Sequence, residues 1–364
     1  MIPIAEPSLG EEELRNVVEA VKTNWISSKG KFIPEFEKSF ANYCDVKYGI
    51  ATSNGTTALH LALAALGIRS GNEVLVPSLT FISTANVVGF CGATPIFVDS
   101  HPDYWCTDPS KLEENITEKT KAIMPVHLYG HPCDMDPIFE IAKEHNLFVI
   151  EDAAEAHGAE YKGKKIGGFG DVSCFSFYGN KIITTGEGGM CVTDNEELAE
   201  KMKVLRDHGE DPKKRYWHKW VGFNYRMTNL QAAVGVAQVK RLEEFIQKKR
   251  KIVEWYNDAL RPLSEKGLIR LHPEMPWAKS TYWMYSILVE NDFPISRDEL
   301  IKKLEENGIE TRPFFPPIQA QQPYISHTEK TPIAVELSLK GINLPSSVNL
   351  TKQDIEFITK KIKE

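Results

Sequence analysis

Residues 147–159 read LFVIEDAAEAHGA, an apolar run that closes on two adjacent acids, Glu151 and Asp152. Dense apolar runs of this length suit a strand covered on both faces, as in a parallel sheet. The helix-period segment MDPIFEIAKEHN (135–146) directly before it suits the crossover that parallel strands need. The same alternation extends outward through EVLVP (73–77), FISTANVVGFCG (81–92), TPIFVD (94–99) and KAIMPVHLYG (121–130). Upstream, GEEELRNVVEAVK (10–22) sets Leu14, Val17, Val18 and Val21 at i, i+3, i+4, i+7 with acids in the first turn, an amphipathic helix pattern. A second helix is expected through TTALHLALAALGI (56–68). The pattern predicts an α/β unit with a mostly parallel central sheet.

A different regime begins after about residue 235, where QVKRLEEFIQKKRKIVEWYNDAL (238–260) reads as one long charged helix. A strand YWMYSILVE (282–290), a helix SRDELIKKLEENG (296–308) and the Pro-rich TRPFFPPIQAQQP (311–323) follow. We therefore expect a large domain over residues 1–240 and a smaller α+β domain over 241–364. No internal repeat or low-complexity tail is visible.

Composition narrows the function. The 364 residues carry a formal net charge of −7, which argues against broad attraction to nucleic acid or an anionic membrane while leaving room for a local phosphate pocket. No apolar run is long enough to span a bilayer, and MIPIAEPSLGEEEL does not resemble a signal peptide. Six cysteines without a CxxC pair suggest reduced thiols in a cytoplasmic protein, with neither a disulfide framework nor a metal site.

Four segments carry residues suited to chemistry. SNGTTALHLAL (53–63) puts Ser53, Asn54, Gly55, Thr56 and Thr57 before a helix. Such residues either cap the helix or offer its first N–H groups to a phosphate. Asp152 leaves the carboxyl end of a strand, where α/β folds hold ligands; it either faces a cationic ligand atom or stabilises a following helix. His157 either bonds such an acid or packs in the core. Lys181 follows DVSCFSF (171–177) and precedes TTGEGG (184–189), with Ser176 at the same strand end. A lysine there ordinarily solvates a loop, but a desolvated amine can be a nucleophile. Phe81 could cover a flat ring or belong to the core. A phosphate cradle, an acid for a pyridinium nitrogen and a lysine for an aldehyde together suit pyridoxal 5′-phosphate (PLP).

With SNGTTALHLAL, PSLTFISTANVV (77–88), PVHLYGHPCDMDPI (125–138), IEDAAEAHGA (150–159), FSFYGNKIITTGEGG (175–189) and NYRMTNLQAA (224–233), the chain resembles the DegT/DnrJ/StrS sugar-nucleotide aminotransferases. The likeness runs from NWISSKGKFIPEFEKSFA (24–41) to GINLPSSVNLT (341–351). It implies a fold type I, aspartate-aminotransferase-like large domain and a homodimer with shared active sites. It implies Lys181 as the lysine that carries PLP covalently and Asp152 as the partner of the pyridine nitrogen. Gly55, Thr56 and Ser176 would hold the phosphate, Phe81 would stack on the ring, and Asn224 would reach the phosphate from the second subunit. Glu155 stands where many relatives place glutamine beside the cofactor's phenolic oxygen. Relatives that act as dehydratases replace the lysine with histidine, and Lys181 argues against that branch.

Within the family the motifs are most similar to members that aminate the C4 ketone of GDP-4-keto-6-deoxy-D-mannose, giving GDP-perosamine for surface glycans such as O-antigen. UDP- or dTDP-linked 4-keto-6-deoxy sugars are the alternative, and a non-catalytic PLP-binding regulator or scaffold the rival of another kind. L-Glutamate would be the amino donor and pyridoxamine 5′-phosphate the halfway form of the cofactor. Arg226, Lys29, Lys31 and Arg312 are candidate contacts for the sugar nucleotide's diphosphate, and Trp25, Tyr178, Tyr324 and His327 for its sugar or base.

Overall fold

The computed structural model of the chain describes residues 1–325 and 330–364. In chain order, the strands of the N-terminal half are β1 (Tyr48–Thr52), β2 (Glu73–Pro77), β3 (Thr94–Val98), β4 (Thr120–Ile123), β5 (Phe148–Asp152), β6 (Glu160–Tyr161), β7 (Lys164–Lys165), β8 (Val172–Ser176) and β9 (Gly189–Thr193). Seven of them form one sheet in the order β1-β9-β8-β5-β4-β2-β3. Only β9 runs against the others, so the sheet is mostly parallel as the apolar runs suggested.

Alternate side chains on these strands feed two cores. Val74, Val76, Ile150 and Cys174 pack on one face with residues of α3 (Gly55–Leu66) and α6 (Glu196–Arg206). Leu75, Val149 and Phe175 pack on the other with α2 (Phe32–Tyr43) and the 37-residue α7 (Asn229–Glu265). The crossover helices α4 (Ser83–Phe90) and α5 (Met135–Glu144) complete the layers. The expected boundary at residue 240 falls inside α7, which runs through it without a break.

The C-terminal part builds a second, antiparallel sheet from β10 (Ile269–Leu271), β12 (Tyr285–Val289), β14 (Gly341–Leu344) and β13 (Arg312–Pro313). The short β11 (Ala278–Lys279) instead joins β6 and β7. Helices α8 (Arg297–Glu306), α9 (Pro332–Lys340) and α10 (Lys352–Lys363) lie in this part. The chain's first residues attach here too, with Ile2 N–H donating to Gly308 O at 2.7 Å and Ile4 O accepting from Ser346 N–H at 2.8 Å.

The first helix forms as its period predicts, at α1 (Glu11–Lys22), but of its apolar stripe only Val17 packs against the core while Leu14, Val18 and Val21 turn outward. Leu14 and Val21 are more than half exposed, while Glu13, Asn16 and Ala20 are buried. Hydrogen bonds to α7 account for the choice of face: Gln238 Nε2 donates to Glu13 at 2.6 Å, Arg241 Nη1 donates at 3.2 Å, and Asn16 Nδ2 donates to Ala233 O at 3.1 Å.

Candidate active site

At the end of β5 the pleat sends neighbouring acids to opposite sides of the sheet. Glu151 is wholly buried in the scaffold: it faces His127 Nε2 at 3.1 Å and accepts from the N–H groups of Phe169 (3.0 Å) and Gly170 (2.9 Å) and from Ser173 Oγ. Asp152 accepts from Thr84 Oγ1 at 2.8 Å and from Ala154 N–H at 3.2 Å. Burial pushes the Asp152 carboxyl up from its ordinary value, opposed by these two donors and by the charge of Lys181. A cationic ring N–H placed against it would relieve that cost.

Helix α3 starts beside the end of β8. Asn54 caps it, accepting from Thr57 N–H at 2.9 Å. The helix backbone comes so close to β8 that a Cβ on Gly55 would lie 2.8 Å from Ser176 Cβ. The Ser176 hydroxyl and the first N–H groups of the helix therefore converge on one spot, and Thr56 Oγ1 extends it to Ser83 Oγ at 3.0 Å. Hydroxyls around a helix N-terminus suit a phosphate. Gly189 serves the same approach from below, because a Cβ there would meet Asn54 O at 2.2 Å.

Lys181 sits in the turn between β8 and β9, its N–H donating to Tyr178 O at 2.9 Å. Only 11% of its side chain is exposed, and Nζ lies 3.7 Å from Glu155 Oε1. Burial lowers its proton affinity, while the carboxyls of Glu155 and Asp152 oppose the drop. Glu155 is buried as well, and its Oε2 accepts from Tyr129 N–H at 2.8 Å. Burial lifts its pKa to about 7 despite Lys181 and that N–H. Lys181 thus has a lowered amine on one side and a raised carboxyl on the other, an arrangement that can hold or pass a proton near neutral pH.

Phe81 is about half exposed above this floor, its ring centroid 5.8 Å from that of Phe315. Phe315 in turn stacks on Tyr129 at 5.6 Å. Contacts therefore link Gly55, Thr56, Phe81, Asp152, Glu155, Ser176 and Lys181 into one constellation. Asn224 is not part of it: it is exposed between α6 and α7, in a backbone bridge with Asp207. His157 is a packed core residue among Phe40, Phe175 and Phe177, and burial drops its pKa to about 3.

Of the remaining sequence candidates, Arg312 lies close enough for its charge to act on Lys181, and the others are scattered. Arg226 pairs with Asp207, Lys31 with Glu19, and Arg312 with Glu310 at 3.6 Å. Lys29, Trp25 and Tyr178 are exposed, and the Tyr324 hydroxyl donates to Asn86 at 2.9 Å. His327 lies outside the described residues. Thr84, Tyr129, Phe315 and Trp283 belong to the site but carry little signal in the sequence. All four stood in segments already singled out, Thr84 three residues after Phe81, Tyr129 in 125–138, Trp283 in 282–290 and Phe315 in 311–323, but nothing in those segments assigned them to the site.

The DegT/DnrJ/EryC1/StrS aminotransferase family model matches residues 7–363. The chain belongs to this family. It is 52% identical to the GDP-perosamine synthase of Caulobacter vibrioides, over 98% of this chain and 96% of that protein. It is 48% identical to the GDP-perosamine synthase of Escherichia coli O157:H7, over 100% and 98%. The structure of Spr1654 from Streptococcus pneumoniae in its PLP form superposes with a TM-score of 0.93 at 28% identity, covering 100% of this chain and 97% of that one. The protein is accordingly a PLP-dependent aminotransferase with the fold type I architecture. The residues present fit that cofactor: a cradle that a Cβ at position 55 would fill, a buried acid and a buried lysine.

Proposed function

We propose that this aminotransferase moves the amino group of L-glutamate to the C4 ketone of a GDP-linked 4-keto-6-deoxy sugar, converting GDP-4-keto-6-deoxy-D-mannose to GDP-perosamine. The observation that carries the substrate is the near-complete coverage, at 52% and 48% identity, of two proteins named GDP-perosamine synthase. The constellation around Lys181 supports the chemistry.

When bound, PLP supplies an electron sink that makes the substrate's amine-bearing carbon acidic. Asp152 holds a positive charge at the cofactor's ring nitrogen, with Thr84 fixing the carboxylate that does so. Gly55 and Thr56 at the start of α3, together with Ser176, anchor the phosphate, and Phe81 covers the ring. Glu155, beside Lys181, would face the cofactor's phenolic oxygen. Lys181 anchors the cofactor and, once free, carries a proton away from the substrate carbon of glutamate and returns one to C4 of the sugar. Because the two substrates would occupy the site in turn, with the amino group held on the cofactor between them, the kinetics should be ping-pong.

We further propose a soluble cytoplasmic homodimer in which Asn224 reaches the partner's phosphate cradle. Its exposed position supports that role, and the outward stripe of Leu14, Val18 and Val21 on α1 supports a subunit interface. No helix among the described residues is long and apolar enough to cross a membrane. Within each subunit, residues 1–240 form the cofactor-binding domain and 241–364 the smaller one, with the first residues lent to the smaller.

Incubation with glutamate and GDP-, UDP- or dTDP-linked 4-keto-6-deoxy sugars tests the assignment. Amino-sugar formation with kcat/KM highest for the GDP series supports it. Preference for UDP or dTDP sugars overturns the nucleotide, and no transfer to any of them overturns the reaction.

A further inference from the structure

One buried residue with no role assigned above, Trp283, reaches Lys181, and a second, Lys249, holds the backbone of the first. Trp283, just before β12, presents its ring face to the lysine, with Nζ 3.7 Å from the ring centroid. Its indole N–H donates to Asn180 O at 2.7 Å, so the same side chain also holds the backbone next to Lys181. Tyr129 backs the ring at 6.3 Å in a stacked arrangement. Behind Trp283 lies Lys249 of α7, only 6% exposed. Its Nζ donates to three main-chain carbonyls, Ser346 at 2.7 Å, Trp283 at 3.0 Å and Tyr282 at 3.4 Å, while burial pulls its pKa down to about 7. A buried lysine spanning β14's end, β12's start and α7 fixes where the indole sits relative to the large domain.

We propose that Trp283 is a further catalytic residue, whose indole face docks the free Lys181 ammonium, and that Lys249 is the positioning residue that holds this face in place. The inference rests on Lys181 acting as a free amine during turnover. An aromatic face within about 6 Å attracts a cation, most strongly where water is excluded. Glu155 stands at the same 3.7 Å on another side, but a carboxylate can take the proton whereas an indole face cannot. Trp283 therefore stabilises the protonated amine without competing for its proton. The other charged or titratable groups acting on Lys181 are Asp152, Arg312 and His157. Arg312 works against the ammonium, and His157, its pKa dropped to about 3 by burial, is uncharged near neutral pH.

The test reads the proton affinity of Lys181 itself. The full-length chain, stripped of cofactor, is acetylated across a pH series, and the extent at Lys181 is quantified by peptide mass. Trp283→Leu is expected to lower the Lys181 midpoint by about one pKa unit, a tenfold loss of proton affinity. Trp283→Phe, which keeps a weaker face, is expected to lower it by less. Lys249→Met is expected to lower it too, through displacement of the indole. Removal of a positive charge acting only through space raises it instead, so a raised midpoint overturns the role of Lys249. A midpoint in Trp283→Leu at or above the parent's, with parental circular dichroism, overturns the proposal. If that variant does not fold, a phenylalanine variant at or above the parent's midpoint overturns it equally. Because no sugar nucleotide is present, failure of the substrate assignment leaves this outcome unaffected.

Discussion

Gly55 is where fold and cofactor affinity meet, and replacing it with alanine perturbs both by calculable amounts. The new methyl would lie 2.8 Å from Ser176 Cβ and 3.3 Å from Ser176 Cα and Oγ. Ser176 cannot retreat freely, because it pairs with Gly189 in the sheet. The start of α3 must therefore move instead. Overpacking of this kind costs about 1–3 kcal/mol, offset by roughly 0.5–1 kcal/mol because alanine favours a helix over glycine. The net loss of stability should be about 1 kcal/mol. Cofactor binding should suffer more, since moving the helix N-terminus off the Ser176 hydroxyl weakens a charge-assisted hydrogen bond worth about 1.5–3 kcal/mol. Titration of the cofactor-free protein with PLP, followed by protein fluorescence, should show Kd rising by about one to two orders of magnitude. Gly179→Ala is the control: its Cβ would have no neighbour nearer than 4.0 Å, and affinity should stay close to the parent's. Unchanged affinity in Gly55→Ala would mean the phosphate is held elsewhere.

Glu155→Gln should remove a pH dependence of stability. A carboxyl raised from 4.5 to about 7 in the folded chain contributes stability that is complete below pH 4.5 and lost as pH rises through 7. At about 1.4 kcal/mol per unit the ceiling is about 3 kcal/mol, so urea unfolding should show the variant gaining on the parent between pH 5 and 8; a constant difference contradicts this. Thr84→Val keeps the shape but deprives buried Asp152 of its 2.8 Å donor, with an expected cost of about 1–3 kcal/mol in urea unfolding and weaker PLP binding. Parental values for both refute the support role. Leu14→Glu combined with Val18→Glu puts charge on the outward stripe of α1 and should convert a dimer to folded monomers in sedimentation velocity. A parent that is already monomeric contradicts the proposed interface.

Much of this architecture is legible locally. Runs such as EVLVP and FVIED bury both faces of their strands, and their spacing announces the crossovers. Lys181, Asp152, Ser176 and Gly55 lie at strand ends or a helix start, so their segments mark them out. What stays hidden depends on partners far along the chain. The period of α1 is correct, but which face turns inward depends on Gln238 and Arg241, more than two hundred residues away. Trp283 is 102 positions from the lysine it covers, in an apolar segment leading into β12 whose pattern alone explains a tryptophan. Glu151 and Asp152 look equivalent in sequence, and only the pleat assigns one to the scaffold and the other to the site.

The central claim is that Lys181 is the amine that carries the cofactor. Borohydride reduction of the PLP-loaded protein followed by peptide mapping tests it most directly. The account predicts loss of the visible cofactor absorbance and a stable pyridoxyl adduct on Lys181 alone. An adduct on another lysine, or none after the absorbance is bleached, would contradict it.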